Sequence, residues 1–288
     1  MPAPRGLLLL FWDYDTQWGA ARSRSGHGPA DWGPLEFEGA DRVLELLAQR
    51  NLRACFAVVG AAARPGPRPW ADSRQIRRIH EAGHEIASHS FRHDWLPGLT
   101  RAALTRTLCE SRDALESCIG ARVTTFVPPY NQPFDYPARG AFSVSERLRG
   151  NRERADIPAL CRLLAACGYR ACRIAYDPLM RRIRARLTGR AVEQPGRVEE
   201  IAGVRCVRLN TPGGFGTPSL TMLDRVAREG GIAVVYGHPH SIRRWETTQH
   251  ERLLAPLLDH AAALRDAGRL DVALPRELHE LVPAVSQV

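Results

Sequence analysis

The chain has 288 residues, 44 % of them hydrophobic and 25 % charged, an ordinary balance for a globular protein that supplies a sizeable core without disulfide staples. The net charge is +9 with arginine dominating. Two readings of that charge stay open, a solvated arginine-rich surface or attraction of an anionic substrate; a nucleic-acid partner is not expected, because no recognised nucleic-acid motif accompanies it.

Met1 to Gly6 followed by LLLLFW has a basic end and an apolar run. The run is short for an export signal, no A-x-A-like site follows, and it flows into Asp13-Tyr14-Asp15, so Gly6 to Trp12 is expected as a first strand buried on both faces. Helical spacing follows over Ala40 to Gln49, and Ala54 to Val59 reads as a strand. Asp72 or Ser73 can cap a helix through Ile76 and Ile79 that Gly83 ends, and His84 to Ser88 reads as a short strand. A long helix is expected from Thr100 to Cys118, then a strand from Arg122 to Val127. A helix over Ile157 to Cys167 leads into a strand over Arg170 to Ala175. Ser219 to Arg228 and Glu251 to Asp266 read as helices, Gly231 to Tyr236 and Leu270 to Leu274 as strands. This alternation predicts a single α/β domain over 1–288, built on a parallel sheet or barrel. Residues 131–156 and 177–205 interrupt it as two long loop insertions, which carry the basic runs Arg147 to Arg154 and Arg181 to Arg190.

Seven scattered cysteines (55, 109, 118, 161, 167, 172, 206), odd in number and without a C-x-x-C pair, point to a reducing compartment and away from a zinc–thiolate site. No stretch reaches the roughly 20 apolar residues of a membrane span. A cytoplasmic protein with no integral membrane segment is expected.

Two groups of residues carry chemistry. Asp13 and Asp15 are two apart where the first strand ends, so both face one side, and charges that close need a cation between them or a shared proton. A turn cap at Asp13 is the bland alternative. In His84-Glu85-Ile86-Ala87-Ser88-His89-Ser90-Phe91-Arg92-His93, a helical turn beginning at the strand end would bring His89 and His93 together. Two imidazoles with one carboxylate are a usual catalytic zinc set. His84, ahead of the strand, reads as structural.

D-x-D at the end of strand one, the apolar strand ACFAVVG, and then IHEAGHEIASHSFRH, in this order, resemble the polysaccharide deacetylase family (NodB homology, carbohydrate esterase family four), whose first motif is usually D-D and whose divergent members carry D-x-D. The resemblance implies a distorted (β/α)7-type barrel with one divalent metal at its C-terminal face, Zn2+ by default and Co2+, Ni2+ or Mn2+ as alternatives. By the same resemblance, Asp15, His89 and His93 match the metal ligands and Asp13 the general base. Phe126-Val127-Pro128-Pro129-Tyr130 resembles the third motif, with Val127 where the family has the arginine that orients the base; the backbone N–H of Tyr130 matches the oxyanion donor. Val234 to His240 resembles the last motif, with His238 as the acid and His240 sharing that role or binding substrate. A fourth-motif counterpart is missing, with Asp177 the sole candidate. Pro129 and Trp18 are further substrate contacts, and Trp12, Tyr14 and Trp18 are close enough in sequence to the D-x-D to shape an acyl pocket.

The implied reaction is hydrolysis of an N-formyl or N-acetyl group from an amino sugar. With a basic chain and no export signal, the expected partner is a small anionic amino sugar, a phosphorylated or nucleotide-linked precursor of a bacterial surface glycan such as O-antigen. An allantoinase-like amidase and a non-catalytic glycan-binding protein are the other two readings.

Overall fold

A sheet of mostly parallel strands curls until its two ends meet. The computed structural model describes residues 5–22, 31–131, 156–174, 187, 194–281 and 285–286. The strands are β1 (Gly6–Tyr14), β2 (Cys55–Val58), β3 (Glu85–Ser88), β4 (Thr125–Phe126), β5 (Ala171–Ile174), β6 (Val198–Ile201), β7 (Val204–Arg208), β8 (Gly231–Gly237), β9 (Leu270–Ala273) and β10 (Val285–Ser286). The helices are α1 (Thr16–Arg22), α2 (Trp32–Ala48), α3 (Ser73–Glu81), α4 (Arg101–Ile119), α5 (Ile157–Ala166), α6 (Thr217–Glu229), α7 (Glu251–Asp266) and α8 (Leu278–Leu281).

The strand order is β10-β6-β7-β5-β4-β3-β2-β1-β8, with β9 also on β1. All pairs are parallel except β6–β7. The curl is latched where Gly196, just before β6, exchanges both backbone hydrogen bonds with Ile232 of β8 (2.7 and 3.0 Å). Asn210 adds to the seam: its side chain donates to Ile232 O (2.7 Å) and accepts from Val234 N (2.9 Å), as a neighbouring strand's backbone would. The result is one α/β domain of the distorted (β/α)7-type expected above.

Every strand has two faces, and the two rows of side chains meet different layers. Leu7, Leu9 and Phe11 of β1 join Val127, Val207, Ile232, Val234 and Tyr236 inside the curl. Leu8, Leu10, Trp12 and Tyr14 join Phe37, Val43, Ile76 and Leu254 of the helix layer outside it. All nine residues of β1 are buried, which explains its unbroken apolar sequence. The same parity corrects one expectation. Trp12 packs on Phe56 and Phe215, and the Tyr14 hydroxyl donates to Gln75 Oε1 (2.6 Å), so neither shapes a pocket inside the barrel.

Local signals set most helix limits. Asp72 caps α3 by accepting from Arg74 N and Gln75 N, Thr100 caps α4, and Gly120 ends α4 at φ 67°. Helix α2 starts at Trp32, well before the expected Ala40. Pro34 is tolerated in its first turn, and Gly39, a helix-weakening residue, is needed because a Cβ there would collide with Pro239 O. Part of the expected second insertion is the β6–β7 hairpin. Its sequence, VEEI then VRCVR, half charged and half apolar, belongs to strands that cover one face only. The arginines of the runs 147–154 and 181–190 and the candidate Asp177 lie outside the described residues.

Candidate functional site

The inward rows end, at the C-terminal mouth of the curl, in polar groups. Asp13 and Asp15 continue the row of Leu7, Leu9 and Phe11, as the two-residue spacing requires. Across from them come His89 one residue past β3, Arg173 from β5, and His238 one residue past β8.

Asp15, His89 and His93 each offer one ligand atom, all within 4.8 Å of one another, and all three residues are buried. Asp15 Oδ1 lies 3.3 Å from His89 Nε2 and 3.6 Å from His93 Nε2. The expected helical turn between the histidines is absent. Ser90 (φ 61°) and His93 (φ 56°) adopt left-handed conformations instead and fold the segment back on itself. Helix α4 braces that turn: Ser111 Oγ donates to Ser90 O (3.0 Å), and Thr107 Oγ1 accepts from Phe91 N (3.0 Å) and donates to Asp94 Oδ2 (2.5 Å). Of six non-glycine residues with positive φ among the described residues, four (Thr16, Ser90, His93 and Tyr130) adjoin this site, which is where such strain gathers when it serves function.

The set fits a divalent cation. His89 Nδ1 lies 2.7 Å from Val127 O; a carbonyl only accepts, so Nδ1 carries a proton and Nε2 is the nitrogen turned to Asp15. Burial opposes a charge on this ring, but the contact with Asp15 and the charge of Asp13 outweigh it and raise the imidazole above its ordinary value. Burial, the dominant influence, holds His93 down to about 4, so its ring is neutral near pH 7. Burial works to raise the Asp15 carboxyl, and its contacts with His93 and His89 act the other way and lower it below the usual range. Asp15 Oδ1 and His93 Nδ1 are buried without a hydrogen-bond partner, and an orphaned carboxylate oxygen facing two imidazole nitrogens is the arrangement a cation completes.

Beside it, Asp13 is gripped by Arg173 in a fork, Nη1 to Oδ1 at 2.8 Å and Nη2 to Oδ2 at 2.6 Å. Arg173 is 1 % exposed and lies between the rings of Phe11 and Tyr236 (5.1 and 4.9 Å). Burial alone would raise the Asp13 carboxyl; Arg173, and after it His89, overcome that and hold it below the usual range. Val127 brings no guanidinium here; the one that grips Asp13 arrives from β5. Val127 keeps a backbone role through its carbonyl on His89. His238 Nε2 stands 4.0 Å from Asp13 Oδ2, and its Nδ1 and its own backbone N–H both lie on Gln249 Oε1 (2.9 and 2.8 Å).

The remaining expected residues fall around this centre. The Tyr130 ring packs edge-on against His93 (4.5 Å), and its hydroxyl donates to Arg22 O (3.1 Å). Pro129 is buried at the start of the same short turn. Trp18 meets Trp70 edge-on at 4.8 Å with the Arg92 guanidinium over its ring. His240 is 6 % exposed, its Nδ1 3.2 Å from Glu36 Oε2 and its ring 4.0 Å from that of Trp32 and 5.1 Å from that of His238. His84 is structural, accepting from Ala54 N (3.2 Å) beside Phe56. Sequence reasoning missed Arg173, Gln249 and Glu36. Fully buried on α2, Glu36 Oε2 also accepts from Asp15 N (3.2 Å) and Thr16 N (3.1 Å), fixing the loop that presents Asp15. Burial first, and then the Asp15 charge, push its carboxyl well above the ordinary value.

Comparison with known proteins bears on this arrangement. Residues 30–140 match the family model described as polysaccharide deacetylase. The chain is 34 % identical over 89 residues to a chitooligosaccharide deacetylase of Sinorhizobium fredii, covering 31 % of this chain and 39 % of that protein. It is 25 % identical over 103 residues to chitin deacetylase 1 of Cryptococcus neoformans, covering 36 % and 19 %. The matches thus span well under half the length of these relatives. In structure, the chain is similar to a protein from Mycobacterium smegmatis described as a polysaccharide deacetylase (TM-score 0.63, 17 % identity, covering 100 % of this chain and 96 % of that one). It is also similar to a mutant of a Bacillus anthracis family-four pseudoenzyme with restored activity (TM-score 0.50, 16 % identity, covering 100 % and 74 %). At these identities the structural likeness shows the fold.

Proposed function

The chain belongs to the polysaccharide deacetylase family, and from that premise we propose that it is a metal-dependent hydrolase that removes an N-formyl or N-acetyl group from an amino sugar. The observation that carries the proposal is the juxtaposition of a buried three-donor set (Asp15, His89, His93) with an ionised carboxylate, Asp13, that Arg173 holds and His238 faces. A divalent ion, zinc by default with cobalt, nickel or manganese as alternatives, would supply a Lewis acid and an acidified water there.

The residues then divide the work. Asp13, fixed by two hydrogen bonds and kept ionised, accepts a proton at its carboxylate from the attacking water. His238 gives a proton from Nε2 to the departing sugar amine. The Tyr130 backbone N–H is assigned to the oxyanion, and Trp18 and Pro129 to substrate contact. His240 supports the loop through Glu36 rather than sharing the acid role. An ionised base, an acid and an orphaned donor set all in place argue against a non-catalytic glycan-binding protein.

For the substrate we propose a phosphorylated or nucleotide-linked amino sugar, an anionic precursor of a bacterial surface glycan such as O-antigen, handled in the cytoplasm. The +9 charge and the seven free cysteines support that choice. The experiment is to strip the protein with a chelator, reload it with each ion, and measure formate or acetate released from N-acylated sugars with and without a nucleotide diphosphate. Ion-dependent release, about tenfold or more faster for the nucleotide form and weakening with salt, is the expected result. Equal, salt-insensitive turnover of neutral sugars overturns the substrate; chelator-insensitive turnover overturns the chemistry.

A further inference from the structure

Gln249 lies in the loop between β8 and α7, and its side chain meets His238 twice through one atom. The backbone N–H of His238 can only donate, so the Gln249 atom 2.8 Å from it is the amide oxygen and not the nitrogen. The same oxygen is 2.9 Å from His238 Nδ1. An amide oxygen only accepts, and its two lone pairs suffice for two donors, so Nδ1 must carry a proton. The free nitrogen of the ring is then Nε2, the one 4.0 Å from Asp13 Oδ2 at the mouth of the barrel.

The loop that carries the amide is tied down on both sides. Gln249 N donates to Thr247 Oγ1 (3.2 Å), Thr247 Oγ1 donates to Arg244 O (3.0 Å), and Thr248 bonds the 213–215 segment in both directions, Oγ1 to Gly213 O (2.9 Å) and O from Phe215 N (3.0 Å). A side chain at Gly213 would crowd the Tyr236 hydroxyl and come into ordinary contact with Gln249 Nε2, so that segment lies close against both.

We propose that Gln249 is the positioning residue of the acid: it locks the ring angle and the Nδ1–H tautomer of His238, so that the transferable proton always sits on Nε2, and does so without adding a charge. This rests on the deacylase reading, and it deepens it. A carboxylate in the same place would orient the ring equally well but would also stabilise the imidazolium, making the acid weaker. Among the described residues, the charged and titratable groups facing His238 are Asp13 with its Arg173, Tyr236 on β8, His240 with its Glu36, and beyond Asp13 the Asp15, His89 and His93 set.

Two measurements test it. In nitrogen-15 spectra of the ion-free protein with the His238 ring neutral, the wild type should show the Nδ1–H form and Gln249→Leu should lose it. In kinetics, Gln249→Leu should lower kcat for an N-acyl sugar about 100-fold, with KM and bound metal near wild type, since a general acid contributes on that order or more. The same variant should hydrolyse nitrophenyl acetate, whose leaving group needs no proton, at close to the wild-type rate. Gln249→Glu should recover most of the amide turnover and move the alkaline limb of its pH profile up by about one unit. An Nε2–H ring in the wild type overturns the proposal. So does equal slowing of amide and ester, which would mean a structural role. A wild type inactive on every N-acyl sugar would sink the deacylase reading while leaving the tautomer result standing, so the two failures are distinguishable.

Discussion

Strand β3 carries buried ionisable groups at both ends of the curl, and the two ends behave differently. At the floor, Glu85 is enclosed on all sides: the Thr125 hydroxyl donates to one carboxylate oxygen and Arg276 N–H to the other (3.0 Å). His84 beside it spends Nδ1 on Ala54 N–H. At the mouth, His89 spends one nitrogen on Val127 and aims the other at Asp15, whose Oδ1 has no hydrogen bond. Burial pushes Glu85 up to about 7 and His84 down to about 4, so perturbation alone does not tell the two ends apart. Convergence does. The floor satisfies its polar atoms with protein, whereas the mouth converges Asp15 Oδ1, which has no hydrogen bond, on two imidazole nitrogens, the convergence on which the metal proposal rests.

The contrast can be broken most severely at His89. His89→Ala should reduce bound divalent ion from about one equivalent to a small fraction by elemental analysis and cut turnover by well over 100-fold, while Glu85→Gln at the floor leaves metal content unchanged. Arg173→Met comes next. It strands the Asp13 carboxylate in the interior and should cost about 3–5 kcal/mol in denaturant unfolding. Adding Asp13→Asn to it should return much of that stability but none of the activity, the signature of an unpaired charge.

Glu85→Gln gives a smaller, pH-dependent effect. The folded protein holds the Glu85 proton more tightly than the unfolded chain, so the wild-type stability from this group is complete below pH 4.5 and is lost as pH rises through about 7. The stability difference, variant minus wild type, should therefore grow in favour of Gln across that window, by at most about 3 kcal/mol, in unfolding curves at each pH. Ser111→Ala is the smallest, about 1 kcal/mol in unfolding, because Ser90 O keeps its bond from Gly60 N (2.9 Å) when the α4 hydroxyl is removed.

What could be read from the sequence was whatever local spacing encodes. D-x-D at a strand end needs only the period of two to place both carboxylates inward. The two histidines were found by their spacing, although the turn joining them is left-handed rather than helical, a choice made by hydrogen bonds from α4 that no local pattern reveals. Arg173 could not be paired with Asp13 in advance, since 160 residues separate them. A weak signal was present all the same: an arginine at the inward position of the short apolar strand ACRI must find a buried anion, because such a charge is not tolerated alone. Glu36 sits near the start of a helix whose beginning was hidden by Gly33 and Pro34. Gln249 gives no signal at all, since a loop glutamine acquires its role only from where the loop is tied.

The strict two-sidedness of β1 gives this chemistry something like a reading frame. Gain or loss of one residue between Gly6 and Phe11 would swap the rows, driving both carboxylates into the greasy helix layer and turning Trp12 and Tyr14 into the cavity. A change of two would restore the phase. Length drift along this lineage should therefore be counted in pairs within the strand and be free only in the loops, so that the spacing of the carboxylates is inherited as a parity rather than as a position.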